Sequence, residues 1–286
     1  MKPHRILLLY KISAYQHYRN VSCETRPDSI EVNRFKQTHE EHYKTINYVE
    51  NVLRELGLMY EKFEREQIRD YQRFDMVIAV GGDGTLLEGA YYVRNQLMLG
   101  VNSDPSWSVG RLCSAEQGNF KILMEDLLAD RARIAPLNRL KVIAEDQRQE
   151  VVFLNDILIC HARPASQSRY VLSIDGHCEE HRGSGLWIST AAGSSGAIHS
   201  AGGQILGLES REIQYRPREL YLGWKNADYK LRGGVLAPET KIRVGSLMAE
   251  GVIFIDGSHR FIQFPVSEQV LIEASEFPLN IIQTRS

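Results

Sequence analysis

Asp83 is the one ionisable side chain in the loop GGDGT (81–85), which lies inside the longer run MVIAVGGDGTLLEGA (76–90). Glycines on either side let backbone N–H groups approach an anionic ligand with no Cβ in the way, and a helix N-terminus adds partial positive charge. A carboxylate repels phosphate, so Asp83 suits another task beside it: accepting a proton, or holding a hydroxyl or Mg2+. The same residues also fit a tight strand-to-helix turn with Asp83 or Thr85 as its cap.

Two further stretches carry usable groups. In RGSGLWISTAAGSSGAIHSAGG (182–203) an apolar core runs into small and hydroxylated residues, among them Thr190, Gly193, Ser194 and Ser195. Such backbone and hydroxyl groups can hydrogen-bond a nucleobase edge or a diphosphate, and a polar inter-strand loop is the plainer alternative. NDILIC (155–160) opens with Asn155, both donor and acceptor, and Asp156, which can accept two hydroxyl hydrogen bonds and so suits a ribose diol. An Asx turn at the start of a strand would need the same pair.

Other chemistries find no footing. There is no GxxxxGK[ST], no GxGxxG after a strand, no HExxH, no GxSxG and no CxxC. That disfavours a P-loop kinase, an ordinary Rossmann dehydrogenase, a serine hydrolase and a zinc site; no metal-ligand set is assigned. His39 and His42 sit in a charged, helix-forming stretch and read as solvated. His177 and His181 read as surface residues of a turn.

The elements that position these groups follow from periodicity. Ile6–Tyr10 is a short apolar run, too short for a signal-peptide core or a membrane span, and reads as a buried first strand. Residues 13–28 read as a loop. From about Ser29 a helix follows, with Ile46, Val49, Leu53 and Leu56 on one face and Gly57 as its C-cap. MVIAV is a strand covered on both faces, a second helix is expected just after Thr85, LMLGVN (97–102) is another strand, and 119–129 is helical. This β-α-β-α-β-α order implies a parallel sheet with crossover helices, and puts GGDGT at a strand's carboxyl end, where such sheets bind ligands. From about residue 133 short strand-like runs dominate: RLKVIAE, EVVFLNDILIC, RYVLSIDG, GLWIST, TKIRVGSLM and GVIFIDGSHRFIQF. The expected fold is an N-terminal three-layer α/β domain with a parallel sheet (1–130) and a C-terminal, mainly β domain (131–265). Residues 266–286 either finish the second domain or return to the first.

Composition narrows the partners. With 286 residues, 43% hydrophobic and 24% charged, and a formal charge of −2, the chain has ample length for a core. Its balance favours neither nucleic acid nor a membrane surface. Small molecules are the expected partners. Four cysteines without metal spacing suit reduced thiols in a reducing, cytoplasmic compartment, and MKPHR shows no Arg/Ser-rich targeting leader.

Taken together, GGDGT, the Asn-acid pair of NDILIC and the GLWISTAAGSSGAIHSAGG segment resemble the NAD kinase family. GVNSDPSWSVGRLC (100–113), SGLW and GVIFIDG (251–257) are similar to its mitochondrial-type branch. The resemblance covers most of the chain but leaves 204–240 poorly matched. It implies a two-domain fold with the active site between the domains, and transfer of a phosphoryl group from ATP with a divalent metal such as Mg2+ (or from polyphosphate) to the 2′-hydroxyl of the adenosine ribose of NAD. By position it implies that Asp83 is the general base, and that Gly81, Gly82, Gly84 and Thr85 lie along the phosphates. Asn155 and Asp156 would hold ribose hydroxyls, and Thr190, Gly193, Ser194 and Ser195 would approach the nucleoside. A homo-oligomer, dimer or tetramer, is the family expectation. Ser195, Gly196 and Ala197 replace the family's Thr-Ala-Tyr, and Asp156 stands where Glu is usual, which bears on dinucleotide choice. The competing readings are a lipid kinase of the diacylglycerol or sphingosine type, which shares GGDGT, and a non-catalytic dinucleotide-binding sensor.

Overall fold

Strand β1 (Ile6–Tyr10) is apolar throughout and buried from Ile6 to Leu9. Around it, in a computed structural model that describes residues 3–16, 30–68, 70–144, 148–223 and 228–284, the chain forms two compact units. One is Met1–Pro136 with Leu279–Ser286, the other Leu137–Pro278. Most of the loop expected over 13–28, and Cys23 with it, lies outside the described residues.

The first unit is built on one sheet. Its strands are β1, β2 (Tyr60–Glu64), β3 (Met76–Gly81), β4 (Leu97–Asn102), β5 (Arg133–Leu137) and the last strand of the chain, β18 (Leu279–Gln283). The order across it is β2-β1-β3-β4-β18-β5, and the pairs β1–β2, β1–β3, β3–β4 and β4–β18 are parallel. All six residues of β3 are buried, as a strand covered by helices on both faces requires.

On one face lie helices α1 (Ile30–Glu55) and α3 (Phe120–Leu128). Ile46, Val49, Val52 and Leu53 of α1 pack with Phe120, Leu123, Met124 and Leu127 of α3 over Ile6, Leu8, Ile78 and Val101. Each such buried side chain contributes about 1.5–3 kcal/mol, so this contact outweighs the largely polar composition of α1. The helix ends as its sequence indicates: Gly57 takes φ +67°, and Leu58 N–H closes onto Leu53 O at 2.9 Å. The opposite face is covered by α2 (Asp83–Tyr92), which comes close because Gly89 has no side chain; a Cβ there would sit 3.0 Å from Met98 Cε and 3.1 Å from Leu9 Cδ2.

The second unit is strand-rich. In chain order it has β6 (Leu140–Ala144), β7 (Gln149–Phe153), β8 (Asp156–His161), β9 (Ser168–Ile174), β10 (His177–Gly183) and β11 (Gly185–Ser189). A one-turn helix α4 (Ala197–Ser200) follows, then β12 (Ile213–Arg218), β13 (Gly234–Leu236), β14 (Ile242–Ser246), β15 (Gly251–Ile255), β16 (Phe261–Gln263) and β17 (Gln269–Ala274). They form two six-stranded sheets, β10-β9-β14-β17-β6-β7 and β13-β12-β11-β8-β15-β16. Alternation gives each a buried face: Tyr170, Leu172 and Ile174 on β9, Ile157 and Ile159 on β8.

Candidate functional site

In the first unit the loop after β3 leads straight into α2. The helix begins at Asp83, ahead of the start expected just after Thr85, with Gly82 at its N-cap and no side chain capping it. Thr85 is interior and buried, and its Oγ1 has no hydrogen-bond partner among the described residues. The early start has a physical reason: the Asp83 carboxylate is engaged by another loop instead of by its own helix end. Oδ1 accepts the Leu112 N–H at 2.8 Å and Oδ2 accepts the Arg111 N–H at 3.1 Å.

That second loop, 102–113, is stapled by Asn102. Its Nδ2 donates to Ser108 O at 3.0 Å, and its Oδ1 accepts the Asp104 N–H at 3.2 Å. Ser103 N–H donates to Gly81 O at 3.0 Å, tying the two loops together. Close approach explains two of the glycines. A Cβ on Gly81 would meet Thr85 Oγ1 at 2.2 Å, and one on Gly82 would meet Ser108 Oγ at 2.6 Å. Gly84 has nothing within 4 Å of a built Cβ. Packing does not demand a glycine there, and the residue is exposed at the first turn of α2, where backbone N–H groups are free to meet an anion. Beside Asp83, the Cys113 thiol is pushed up to about 12 by burial and then by the Asp83 charge, so it stays protonated.

His42 underlies the same edge of the sheet. It is fully buried, not solvated, because a hydrogen-bonded path runs through it: Nδ1 meets Ser103 Oγ at 2.8 Å and Nε2 meets Lys11 O at 2.9 Å. Burial is the main cause of a pKa lowered to about 4, and the neutral Nε2–H tautomer satisfies both partners. His39 is half-buried between the rings of Tyr15 and Tyr43. His181 also differs from its surface reading. It is buried in β10, with Nε2 3.2 Å from Glu179 Oε2, while His177 is exposed.

The second unit gathers Asn155, Asp156, Thr190 and Gly193 around one turn. Asn155 O accepts Thr190 N–H at 2.9 Å and Ser189 Oγ at 3.1 Å. Thr190 Oγ1 donates to Leu154 O and accepts the Ala192 N–H at 3.0 Å. Gly193 lies so close that a Cβ would sit 2.3 Å from Asn155 O. A Cβ on Gly196 would reach Asp156 Oδ2 at 3.8 Å. Asn155 Oδ1 is buried without a partner among the described residues. Ser194 is buried, donating to Ala191 O at 2.7 Å and accepting Leu206 N–H at 2.9 Å, so its hydroxyl ties the loop together. Ser195 is exposed.

Asp256, at the end of β15, organises this turn. Its Oδ2 accepts Leu154 N–H at 2.9 Å, and its Oδ1 accepts Asn155 N–H at 2.7 Å and Asp156 N–H at 3.3 Å. Asp256 N–H in turn donates to Asp156 O at 2.9 Å. Burial, then the charge of Asp256, raises Asp156 to about 7. Burial raises Asp256 too, against the three amides and Arg260.

The sequence reading thus missed three parts: Asn102, the amides of Arg111 and Leu112, and Asp256. GVNSDPSWSVGRLC and GVIFIDG contain them, but only as quoted similarity, since nothing in either stretch says which backbone it will hold.

No family model matches the chain. A probable NADH kinase of Oryza sativa subsp. japonica is 33% identical over 241 residues, 76% of this chain and 74% of that one. The chain belongs to the NAD kinase family. An NAD kinase of Archaeoglobus fulgidus is 27% identical over 82% of this chain and 89% of its own length. Solved structures agree on the fold. The crystal structure of an NAD kinase from Archaeoglobus fulgidus in complex with ATP aligns with a TM-score of 0.71 at 23% identity, covering 98% of this chain and 93% of that one. Yeast NADH kinase complexed with NADH also gives 0.71, at 16% identity, over 99% of this chain and 84% of its own. The three-layer α/β unit with its β-rich companion is therefore the NAD kinase architecture.

Proposed function

We propose that the chain transfers a phosphoryl group from ATP to the 2′-hydroxyl of the adenosine ribose of NAD, giving NADP. The observation that carries this is the Asp83 carboxylate, fixed by the amides of Arg111 and Leu112 beside an accessible Gly84 at a helix start. Family membership supplies the substrates. Phosphoryl transfer leaves the protein little covalent work, so catalysis rests on positioning and on charge. Each Asp83 oxygen has one lone pair committed to an amide and another free, so the carboxylate is oriented and still able to take the hydroxyl proton as the new bond forms. Gly82, Gly84 and Thr85 line the phosphates. Asn155 and Asp156 hold ribose hydroxyls, Asp156 as acceptor or, protonated, as donor. Thr190 and Gly193 shape the wall beside the nucleoside, with Ser194 behind it and Ser195 at its exposed rim.

Among the described residues no three His, Cys, Asp or Glu side chains come together as a metal cage. That suits a divalent ion such as Mg2+ carried in on the donor's phosphates, which needs only one or two protein carboxylates. Such an ion neutralises charge on the transferring group. The reading also includes a cytoplasmic setting and a homo-oligomer. No helix among the described residues is long and apolar enough to cross a membrane, and Cys113, Cys160 and Cys178 are free thiols. Light scattering of the purified chain tests the oligomer.

The deciding experiment is NADP formation from NAD with ATP or polyphosphate and several divalent ions. Relatives in rice and Arabidopsis thaliana bear the name NADH kinase, so NADH is assayed alongside. Transfer to lipid vesicles in place of either dinucleotide would overturn the reading in favour of a lipid kinase. Tight NAD binding without any phosphorylated product, under every donor and ion, would mark a sensor.

A further inference from the structure

The glycine loop and helix α2 offer partial charges only, and Asp83 opposes them, yet a triphosphate brings about four negative charges to the site. The cations that meet that charge are not among the motif residues. β1 and β3 run in register, Tyr10 opposite Val80, so Lys11 and Gly81 leave the sheet side by side. On the other flank Tyr10 stands opposite Glu64, and the next residue, Arg65, donates its N–H to Tyr10 O at 2.9 Å. Lys11, Arg65 and the glycine loop thus emerge from three adjacent strands at one edge. Strand order also reverses here, since β2 and β3 lie on opposite sides of β1. Parallel sheets bind ligands in the crevice that such a reversal opens.

We propose that Lys11, assisted by Arg65, holds the polyphosphate tail of the phosphoryl donor at this edge. The inference rests on the reading of the chain as an ATP-dependent kinase and names the groups that receive the donor. Lys11 is half-buried, its carbonyl is fixed by His42, and its ammonium makes no ion pair among the described residues. The charges that face it are Arg65, which repels it, and Asp104, which attracts it from beyond ion-pair distance; His42 is neutral at physiological pH. Burial and Arg65 together lower the Lys11 pKa against the weaker pull of Asp104. A cation in that state is poorly served by the protein alone, and an anion beside it relieves both the desolvation and the repulsion. Among the described residues Arg65 has only a loose ion pair, 3.8 Å to the exposed Glu66, and can turn to the same anion. Both belong to the first unit: Lys11 follows the buried strand β1, and Arg65 is tied to that strand by its N–H bond to Tyr10 O.

The test uses the full chain with Lys11→Met, which keeps the stem and removes the charge, Lys11→Arg, which restores a charge, and Arg65→Gln. Inorganic tripolyphosphate is the binding probe, read by calorimetry, alongside KM for ATP and for NAD. Lys11→Met is expected to weaken tripolyphosphate and raise KM for ATP by about tenfold or more, leaving KM for NAD within about twofold. Lys11→Arg should recover most of the loss, and Arg65→Gln should show the same selectivity at about threefold. Unchanged tripolyphosphate affinity in both charge-removing variants overturns the proposal, as does an equal rise in KM for both substrates. Tripolyphosphate binding needs no turnover. A wild-type chain that binds it through Lys11 but forms no NADP would therefore defeat the kinase reading and leave this assignment standing.

Discussion

Asp83 and Asp256 make the same contact for opposite purposes. In the first unit two amides, from Arg111 and Leu112, hold one carboxylate, and in the proposed reaction that carboxylate is the group that faces the substrate. In the second unit one carboxylate holds three amides, from Leu154, Asn155 and Asp156, and the held backbone is what presents the polar side chains. One acid is the tool and the other is the vice. The difference teaches that removing a carboxylate from this fold has two separable outcomes, one kinetic and one structural.

The sharpest break of the comparison is Asp83→Asn. It keeps the size, loses the base and turns one of the two amide-accepting atoms into a donor, so turnover should fall by about 10²–10⁴-fold while stability drops by only about 1–2 kcal/mol. NADP formation and thermal denataturation measured on one preparation would read both; near-normal turnover would remove Asp83 from its role. Asp256→Ala should do the reverse. It leaves three amides of a partly buried turn without their acceptor, so stability should drop by about 3 kcal/mol or more in urea denaturation, with loss of NAD affinity following. Full stability in that variant would show that the turn is held by its strands alone.

Gly193→Ala comes next. Its Cβ would stand 2.3 Å from Asn155 O, and relieving that overlap should cost about 1–3 kcal/mol and raise KM for NAD more than KM for ATP. Equal effects on the two substrates would deny the loop its nucleoside-facing place.

The smallest effect concerns Asp156→Asn. Asp156 is raised to about 7, so above about pH 4 the folded chain keeps a proton that the unfolded chain has released. Stability attributable to this group therefore declines as pH rises from about 4 to 7 and stays low beyond. Asparagine removes the cost: a gain of about 1–2 kcal/mol at pH 8 that shrinks towards pH 4 is expected. A gain independent of pH in chemical denaturation would refute the titration behind it.

Where burial is continuous, the sequence was enough. MVIAV is apolar through its length and LMLGVN up to its final Asn102, and they became the fully covered β3 and the largely buried β4. β10 was not legible, because HCEEHRG is polar and its pairing with β9 shows in no local pattern. β12 hid for a related reason: IQYRPR carries two arginines and a proline, and only its neighbours β11 and β13 make it a strand. GGDGT and the Asn155–Asp156 pair could be picked out by residue type. Their supports could not, since Asp256 reaches its amides across 100 to 102 residues of chain and Asp83 across 28 and 29. The same limit misplaced His42, whose helix looks charged along its length but buries that one ring against Ser103 and the Lys11 carbonyl.

The last strand sets an order of events during synthesis. β18 lies between β4 and β5, with Leu279, Ile281 and Ile282 buried, so the first sheet stays open along β4 until residues 279–283 have left the ribosome. Leu137–Pro278 is by then already available to fold as a unit. The half of the molecule made first is thus finished last. Until it closes, the unpaired edge of β4 is an apolar strand awaiting a partner, and the interval of exposure to misassembly lasts at least as long as residues 137–278 take to be made.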